Sequence, residues 1–122
     1  MKRLVISDAA GADLREIARY MESEWGAARK QPYLAAISAR MMRLRMYPSL
    51  SIARDDLAPG YRSALSGRHV IFYRERTNAI EIVRVLHESM DIHAHLSHEP
   101  THAPLETAAT PGAKPRRKKS RR

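Results

Sequence analysis

Apolar residues recur with two different periods in the first 96 residues, and each period predicts a different kind of element. Residues 3–6, Arg-Leu-Val-Ile, are a short β-branched run that predicts a first strand. Ser7 and Asp8 follow, and either side chain can accept hydrogen bonds from the first turn of a helix. Gly26 predicts the end of that helix, since glycine reaches positive φ at no steric cost. Between these limits the apolar residues lie three and four apart, as expected for one stripe of a helix, namely Leu14, Ile17, Ala18, Met21 and Trp25.

A second helical pattern begins directly after Gly26. Its apolar stripe consists of Ala27, Tyr33, Leu34, Ile37, Met41 and Leu44. Tyr47-Pro48 ends the pattern, and Pro32 must lie in the first turn or kink the helix, because proline has no N–H to donate. Two helices joined by about one residue fold back as an antiparallel hairpin. Such a hairpin has one apolar face, which must be buried against a sheet.

The pattern changes to alternation in the second half of the chain. Residues 48–61 are rich in Pro, Ser and Gly and predict a loop, after which residues 62–65, 68–76 and 79–87 predict three strands. Thr77-Asn78 predicts a two-residue hairpin turn between the last two strands, because asparagine tolerates positive φ. This turn sets the register of the hairpin, with the expected pairs Arg74–Glu81, Phe72–Val83, Val70–Val85 and Arg68–His87.

The predicted hairpin of residues 68–76 and 79–87 is apolar on both faces. The two helices can cover only one of them. The other face contains Ile71, Tyr73, Ile82 and Leu86, and we expect these side chains to be incompletely buried in the isolated chain. We therefore expect a segment of another polypeptide to complete this side of the sheet.

The elements follow the order β-α-α-β-β-β, with an optional last helix at residues 89–96. This order predicts an α+β domain over residues 1–96, with a helical hairpin packed on a small, mostly antiparallel sheet. Residues 97–122 contain four prolines and end almost wholly in basic residues, so they predict a disordered basic tail. Residues 100–122 carry +6 of the formal charge of +9, which means that the high pI describes the tail more than the fold.

Composition and spacing exclude several kinds of site. The chain has no cysteine, so disulfides and thiolate metal sites are excluded. The histidines at 93, 95, 98 and 102 do not predict a metal site, because His93 and His95 would lie on different sides of a helix and no acidic or thiol ligand completes a set. We expect no cofactor. No apolar run approaches the length of a membrane span, so we expect a cytoplasmic protein without membrane contact. Residues 43–45, Arg-Leu-Arg, are interpreted as a solvated helix face rather than a nucleic-acid patch.

Three segments resemble the ParE branch of the RelE/ParE superfamily of bacterial toxins. Residues 24–28, Glu-Trp-Gly-Ala-Ala, resemble the corner of the helical hairpin in these toxins. Residues 67–74, Gly-Arg-His-Val-Ile-Phe-Tyr-Arg, form the second segment. Residues 85–91, Val-Leu-His-Glu-Ser-Met-Asp, match best and are followed by His95-Leu96. Together with the element order, the resemblance covers residues 3–96.

The resemblance implies the toxin of a type II toxin-antitoxin system. ParE toxins trap DNA gyrase in complex with cleaved DNA, and an antitoxin encoded beside them wraps the toxin with its extended C-terminal part. The resemblance therefore implies a gyrase inhibitor rather than an enzyme. The antitoxin surface is expected to comprise Ile71, Tyr73, Ile82, Arg84 and Leu86, and contacts to the target are expected from His87, Met90 and Asp91.

Two alternatives stay open. The RelE branch cuts ribosome-bound messenger RNA without a metal, a reaction that needs a base, an acid and cations around the phosphate. Arg68, Arg84 and His87 resemble positions where such nucleases hold an arginine and a histidine. Against this alternative, the segment after His87 reads Glu-Ser-Met-Asp and lacks the tyrosine or basic cluster of the nucleases. The other alternative is a non-toxic or DNA-anchored binding module, in which Lys114–Arg122 contacts nucleic acid without sequence specificity.

Overall fold

The computed structural model describes residues 2–96, and they form an α+β fold. The elements in chain order are β1 (Arg3–Ile6), α1 (Asp8–Trp25), α2 (Ala27–Met46), β2 (Ile52–Ala53), β3 (Tyr61–Ser66), β4 (His69–Glu75), β5 (Ala79–His87) and α3 (Ile92–Leu96). The tail predicted for residues 97–122, with its nucleic-acid contact at Lys114–Arg122, lies outside the described residues. None of the helices in residues 2–96 combines the length and the apolar character that are needed to cross a lipid bilayer.

The helical hairpin begins and ends where its capping residues predict. Ser7 Oγ accepts a hydrogen bond from the Ala10 N–H at 3.0 Å, which satisfies one of the free amides of the first turn of α1. Gly26 has a φ of 85° and separates α1 from α2. Of the two placements expected for Pro32, the first turn is not the one adopted, because Pro32 is the sixth residue of α2. Because proline has no N–H, the helix continues there without a donor to the carbonyl four residues earlier.

The sheet has five strands in the spatial order β1-β5-β4-β3-β2. β1 pairs with β5 in parallel, and all the other neighbours are antiparallel, so the predicted mostly antiparallel sheet is confirmed. β2 falls inside the predicted loop 48–61 and was missed. It has only two residues, and its pairing with β3 depends on a contact distant in sequence that no local pattern encodes.

A bulge in β5 changes the register of the β4–β5 hairpin. Near the turn the predicted register is confirmed, and Arg74 lies opposite Glu81. Farther along, the ladder shifts by one residue, so the predicted pairs Phe72–Val83, Val70–Val85 and Arg68–His87 are wrong, and the observed pairs are Phe72–Arg84, Val70–Leu86 and His69–His87. The extra residue is Val83. It allows Ile82 and Val85, which are three residues apart, to lie on the same face of the sheet, and it does the same for Val83 and Leu86 on the other face.

Both faces of the sheet are packed. The helix-side core lies under α1 and α2 and includes Ile17, Ile37, Met41, Leu44, Ile71, Tyr73, Ile80, Ile82 and Val85. The outer core lies on the opposite face and consists of Tyr61, Phe72, Val83, Leu86 and Leu96, with Leu57, Ala58, Val70 and Ile92 packed against it. The outer core is therefore covered by the chain itself, through residues 57–58 and α3.

This packing corrects the expectation of an uncovered face made of Ile71, Tyr73, Ile82 and Leu86. The first three belong to the helix-side core and are 0% exposed, and Leu86 is 1% exposed in the outer core. The hydroxyl of Tyr73 is also used internally, since it donates to the carbonyl of Pro48 at 2.6 Å. A partner segment cannot touch these side chains without displacing the protein's own helices or loop.

Candidate functional site

Two imidazoles meet at the end of the sheet where β4 begins and β5 ends. His69 and His87 are register partners, and we call them the histidine pair. Their ring centroids are 5.2 Å apart and the ring planes are perpendicular. His69 is buried and His87 is half-buried. Only His87 was predicted as a functional residue, because the register expected from the turn placed Arg68 in the position that His69 occupies.

Tyr33 on α2 holds the first half of this site in place. Its ring packs against Gly67 so closely that a Cβ added there would lie 2.7 Å from Tyr33 Cε1. Gly67 has a φ of 59°, a region that residues with side chains rarely adopt. Glycine is thus required twice at this turn, for the backbone and for the approach of the tyrosine.

Hydrogen bonds around Tyr33 assign the protonation of His69. The Arg68 N–H donates to Tyr33 Oη at 2.9 Å, so the hydroxyl proton is available for His69 Nδ1, which is 2.6 Å away. His69 therefore accepts at Nδ1. Burial lowers the pKa of His69 to about 4, and the nearby charge of His87 contributes in the same direction against a smaller opposing effect of Glu88. His69 is neutral at pH 7 and acts as an acceptor, not as a cation.

The second half of the site is a tight turn after β5. The Ser89 N–H donates to His87 Nδ1 at 3.1 Å, which leaves Nε2 to carry the proton of the neutral ring. Ser89 Oγ lies 2.7 Å from the same Nδ1. Glu88 forms a salt bridge with Arg68, which leaves 71% of the arginine side chain exposed. The turn therefore presents a fixed imidazole and a partly neutralised guanidinium.

The predicted target contacts His87, Met90 and Asp91 lie close together in this turn. The Met90 N–H donates to the carbonyl of His87 at 3.0 Å, and the Met90 side chain is 44% exposed. Asp91 Oδ1 accepts the Ala94 N–H at 3.1 Å and so caps α3, a role that the Asp-x-x-Ala spacing could have indicated. The three residues form one exposed surface beside the histidine pair.

Arg84 is held away from this surface. Its guanidinium makes two hydrogen bonds to Asp13 on α1, Nε to Oδ2 at 2.8 Å and Nη2 to Oδ1 at 2.9 Å. Asp13 Oδ2 also accepts the Val85 N–H at 2.9 Å. Arg84 is three residues before His87 on an extended strand, a separation of about 10 Å. The structure does not bring Arg84 together with Arg68 and His87, the set expected for the nuclease alternative.

Apolar side chains remain exposed at one edge of the outer sheet face. We call Ile52, Leu65 and Val70 the outer strip. Ile52 is 67% exposed and Leu65 is 56% exposed, while Val70 is half-buried against the outer core. The register places all three on the same face, because Ile52 pairs with Ser63 and Leu65 pairs with Val70. Sequence reasoning missed this surface because β2 was not predicted.

The histidines of α3 contact neighbouring groups individually. His93 Nε2 lies 3.5 Å from Asp56 Oδ2, and His95 Nδ1 lies 2.9 Å from the carbonyl of Asp91. No group of three or more His, Cys, Asp or Glu side chains in residues 2–96 is placed to hold a metal ion. His98 and His102 lie outside the described residues.

Comparison with known proteins gives consistent matches over most of the chain. A family model described as "ParE toxin of type II toxin-antitoxin system, parDE" matches residues 4–92. The chain is 38% identical over 96 residues to a protein named Toxin ParE1 from Caulobacter vibrioides, which covers 79% of this chain and 99% of the relative. It is 36% identical over 95 residues to Toxin ParE1 of Mycobacterium tuberculosis, covering 77% of this chain and 97% of the relative.

More distant matches agree. A protein named Toxin ParE from Escherichia coli is 33% identical over 98 residues, covering 80% of this chain and 95% of the relative. The solved structure titled "Chromosomal ParDE TA system from P. aeruginosa" has a TM-score of 0.63 and covers 71% of this chain and 96% of that chain. At 20% sequence identity, this last likeness concerns the fold alone.

Proposed function

The chain belongs to the family of ParE toxins of type II toxin-antitoxin systems, and from this membership we propose that it arrests bacterial growth by poisoning DNA gyrase. In this proposal it acts in the cytoplasm, binds gyrase on cleaved DNA and prevents resealing. A cognate antitoxin neutralises it by covering part of its surface. The surface proposed to contact gyrase is the turn of His87, Met90 and Asp91, next to the histidine pair.

The observation that carries the proposal is the state of the charged groups at the sheet end. Phosphate-cleaving chemistry without a metal needs cations that stabilise the charge of the transition state. Arg84 is committed to Asp13, Arg68 is paired with Glu88, and His69 is neutral. The surface is therefore better suited to binding another macromolecule than to cleaving RNA.

The ribonuclease alternative keeps one observation in its favour. His69 and His87 are within ring contact of each other, and Tyr33 is hydrogen-bonded to His69, so groups capable of proton transfer do lie side by side. In that alternative, the chain would cleave ribosome-bound messenger RNA and leave gyrase untouched.

A supercoiling assay separates the two functions. We expect the purified chain to inhibit supercoiling of a relaxed plasmid by gyrase and to leave linear DNA after protein is removed with detergent and protease. Translation in a cell-free system should continue with intact messages. Cleaved messages with normal gyrase activity would reverse the assignment.

A matched pair of variants tests the proposed gyrase surface. Met90→Glu introduces a charge on the proposed contact, whereas Met46→Glu makes the same change on α2, where the side chain is 54% exposed. Loss of one apolar contact of about 1.5–3 kcal/mol corresponds to a rise of roughly tenfold or more in the inhibitory concentration for Met90→Glu. Equal inhibition by both variants would place the contact elsewhere.

The antitoxin is proposed to cover the outer strip. This strip is the exposed continuation of an otherwise packed sheet face. Its residue Ile52 lies on β2, a short edge strand to which an extended segment can add by main-chain pairing. Leu65→Glu should weaken the affinity for the antitoxin by about tenfold or more. Met42→Glu on α2, where the side chain is 46% exposed, is the control. If only the control variant loses affinity, the antitoxin binds the helical side.

A further inference from the structure

Helix α2 contains five Lys or Arg residues and no Asp or Glu over residues 27–46. Elsewhere in residues 2–96, most Lys and Arg side chains form a salt bridge, as Arg74 and Arg76 do with Glu81. On α2 only Lys30 does so, with Glu22. The positive charge of α2 is therefore largely uncompensated within the part of the chain that the structure describes.

Three of these cations lie along one flank of the helix. At about 100° per residue, Arg29, Arg40 and Arg43 fall within roughly 60° of one another, and at 1.5 Å per residue they extend over about 21 Å. We call them the cationic strip. Arg29 and Arg43 are exposed, and the guanidinium of Arg29 lies 4.9 Å from the ring centroid of Trp25. Arg40 is half-buried, with its Nε donating to the carbonyl of Leu65 at 3.3 Å.

The cationic strip adjoins the candidate functional site. Tyr33 lies close to the same flank of α2, and its hydroxyl accepts the N–H of Arg68 and contacts His69. The strip and the histidine pair are therefore connected through one side chain. An extended ligand that follows the strip reaches the turn of His87.

We propose that the cationic strip binds the phosphate backbone of duplex DNA. Guanidinium groups pair with phosphate oxygens, and contacts to the backbone position a protein on DNA without reading its sequence. The residue between the arginines on this flank is Ala36, which offers no anchor for a protein partner. Of the two large exposed apolar residues of α2, Met42 lies about 130° from the middle of the strip and Met46 about 90° from it. Free duplex DNA is the ligand, so the proposal stands or falls independently of gyrase.

The strip and the basic tail can be tested separately in the full chain. The tail leaves α3 at Leu96, which packs in the outer core on the face of the sheet opposite α2. The test is a fluorescence-anisotropy titration of a short labelled duplex at several salt concentrations. Each phosphate contact contributes about −0.9 to the slope of log K against log salt concentration.

Removal of Arg40 and Arg43 should therefore make the slope shallower by about 1.8, which reduces the affinity lost between 50 and 200 mM salt by roughly tenfold. R40Q/R43Q is compared with R3Q/R15Q, which removes the same charge from two exposed arginines on β1 and α1. R40K/R43K keeps the charge and should keep the slope, which guards against a Gln variant that fails to fold.

A slope changed only by R40Q/R43Q supports the proposal. Equal changes in R40Q/R43Q and R3Q/R15Q would overturn it, because net charge alone would then account for binding. An unchanged slope in both would also overturn it. If R40Q/R43Q weakened antitoxin binding and left DNA binding unchanged, the cationic strip would be a surface for the antitoxin and the DNA proposal would be wrong.

Discussion

Replacement of Asp13 by alanine should destabilise the fold by about 3 kcal/mol, because one carboxylate satisfies three donors at the edge of β5. β1 pairs with β5 only as far as Ile82, and no other strand in residues 2–96 continues along that edge. Asp13 occupies this place and accepts two hydrogen bonds from Arg84 and one from the Val85 N–H. The side chains of Asp13 and Arg84 are 13% and 17% exposed.

The magnitude follows from what the alanine variant leaves behind. Removing one partner of a buried ion pair costs about 3–5 kcal/mol, since the remaining charge loses its hydrogen bonds to that partner. Residual exposure of Arg84 lets water reach part of the guanidinium and lowers that figure, whereas the orphaned Val85 N–H adds roughly 1 kcal/mol or more. A loss of about 3 kcal/mol corresponds to a fall in melting temperature of roughly 12–24 °C for a domain of this size.

Denaturant unfolding measured by circular dichroism checks the value. Glu16→Ala on the same helix is the control, because Glu16 pairs with Arg19 and both side chains are more than two-thirds exposed. Exposed pairs of this kind contribute roughly 0.2–1 kcal/mol. The double variant D13A/R84M also removes the charge that Asp13 pairs with, so the cost of losing Asp13 should drop to about 1 kcal/mol in that background.

The proposed coupling between Asp13 and Arg84 is refuted if Asp13→Ala lowers the free energy of unfolding by no more than Glu16→Ala. It is also refuted if the loss of stability in Asp13→Ala is the same with and without Arg84. In either case the ion pair with Asp13 would not be what keeps Arg84 away from the histidine pair.

Three further outcomes are expected. Gly67→Ala should destabilise the fold by about 1–3 kcal/mol in thermal unfolding, because it combines a φ of 59° with a clash against Tyr33, whereas Gly60→Ala, with a φ of 84° and open space, should cost less. The free energy of unfolding should fall as the pH drops from about 6.5 to about 4. In this range His69 is protonated in the unfolded chain, where its pKa is about 6.5, but stays neutral in the folded chain, where its pKa is about 4. The loss should approach about 3 kcal/mol in denaturant unfolding, and parallel pH profiles for the parent and His69→Gln would contradict it. A chain that ends at Leu96 should bind the antitoxin in a pull-down or titration as tightly as the full chain, and lost binding would give residues 97–122 a part in the complex.

The helical half of the fold could be predicted from sequence because its signals are local. Ser7 and Gly26 mark the ends of α1, and the spacing of three and four between apolar residues needs no knowledge of distant contacts. Tyr47 marks the end of α2 in the same way. The family resemblance was also confirmed, since it rested on contiguous segments.

The surfaces of the sheet could not be predicted in the same way. When one face of a strand is exposed to solvent, the alternation of polar and apolar residues shows which side chains point to the core. β5 is buried on both faces, so its sequence lacks this alternation. The bulge places Ile82 and Val85, three residues apart, in the same core, and several adjacent apolar pairs along β5 hide this change from the sequence. Exposure at Ile52 and Leu65 depends on β2, whose two residues carry no pattern of their own.

The bulge at Val83 also decides the chemistry of the sheet end. In the register expected from the turn, Arg68 would lie opposite His87, and a guanidinium beside an imidazole is the kind of pair that stabilises and cleaves a phosphodiester. The extra residue advances β5 by one position and places His69 there instead. His69 is buried and neutral, and Arg68 moves into the turn, where Glu88 pairs with it. One extra residue in β5 thus places a neutral imidazole, rather than a guanidinium, opposite His87, and it leaves Arg68 in the turn, paired with Glu88.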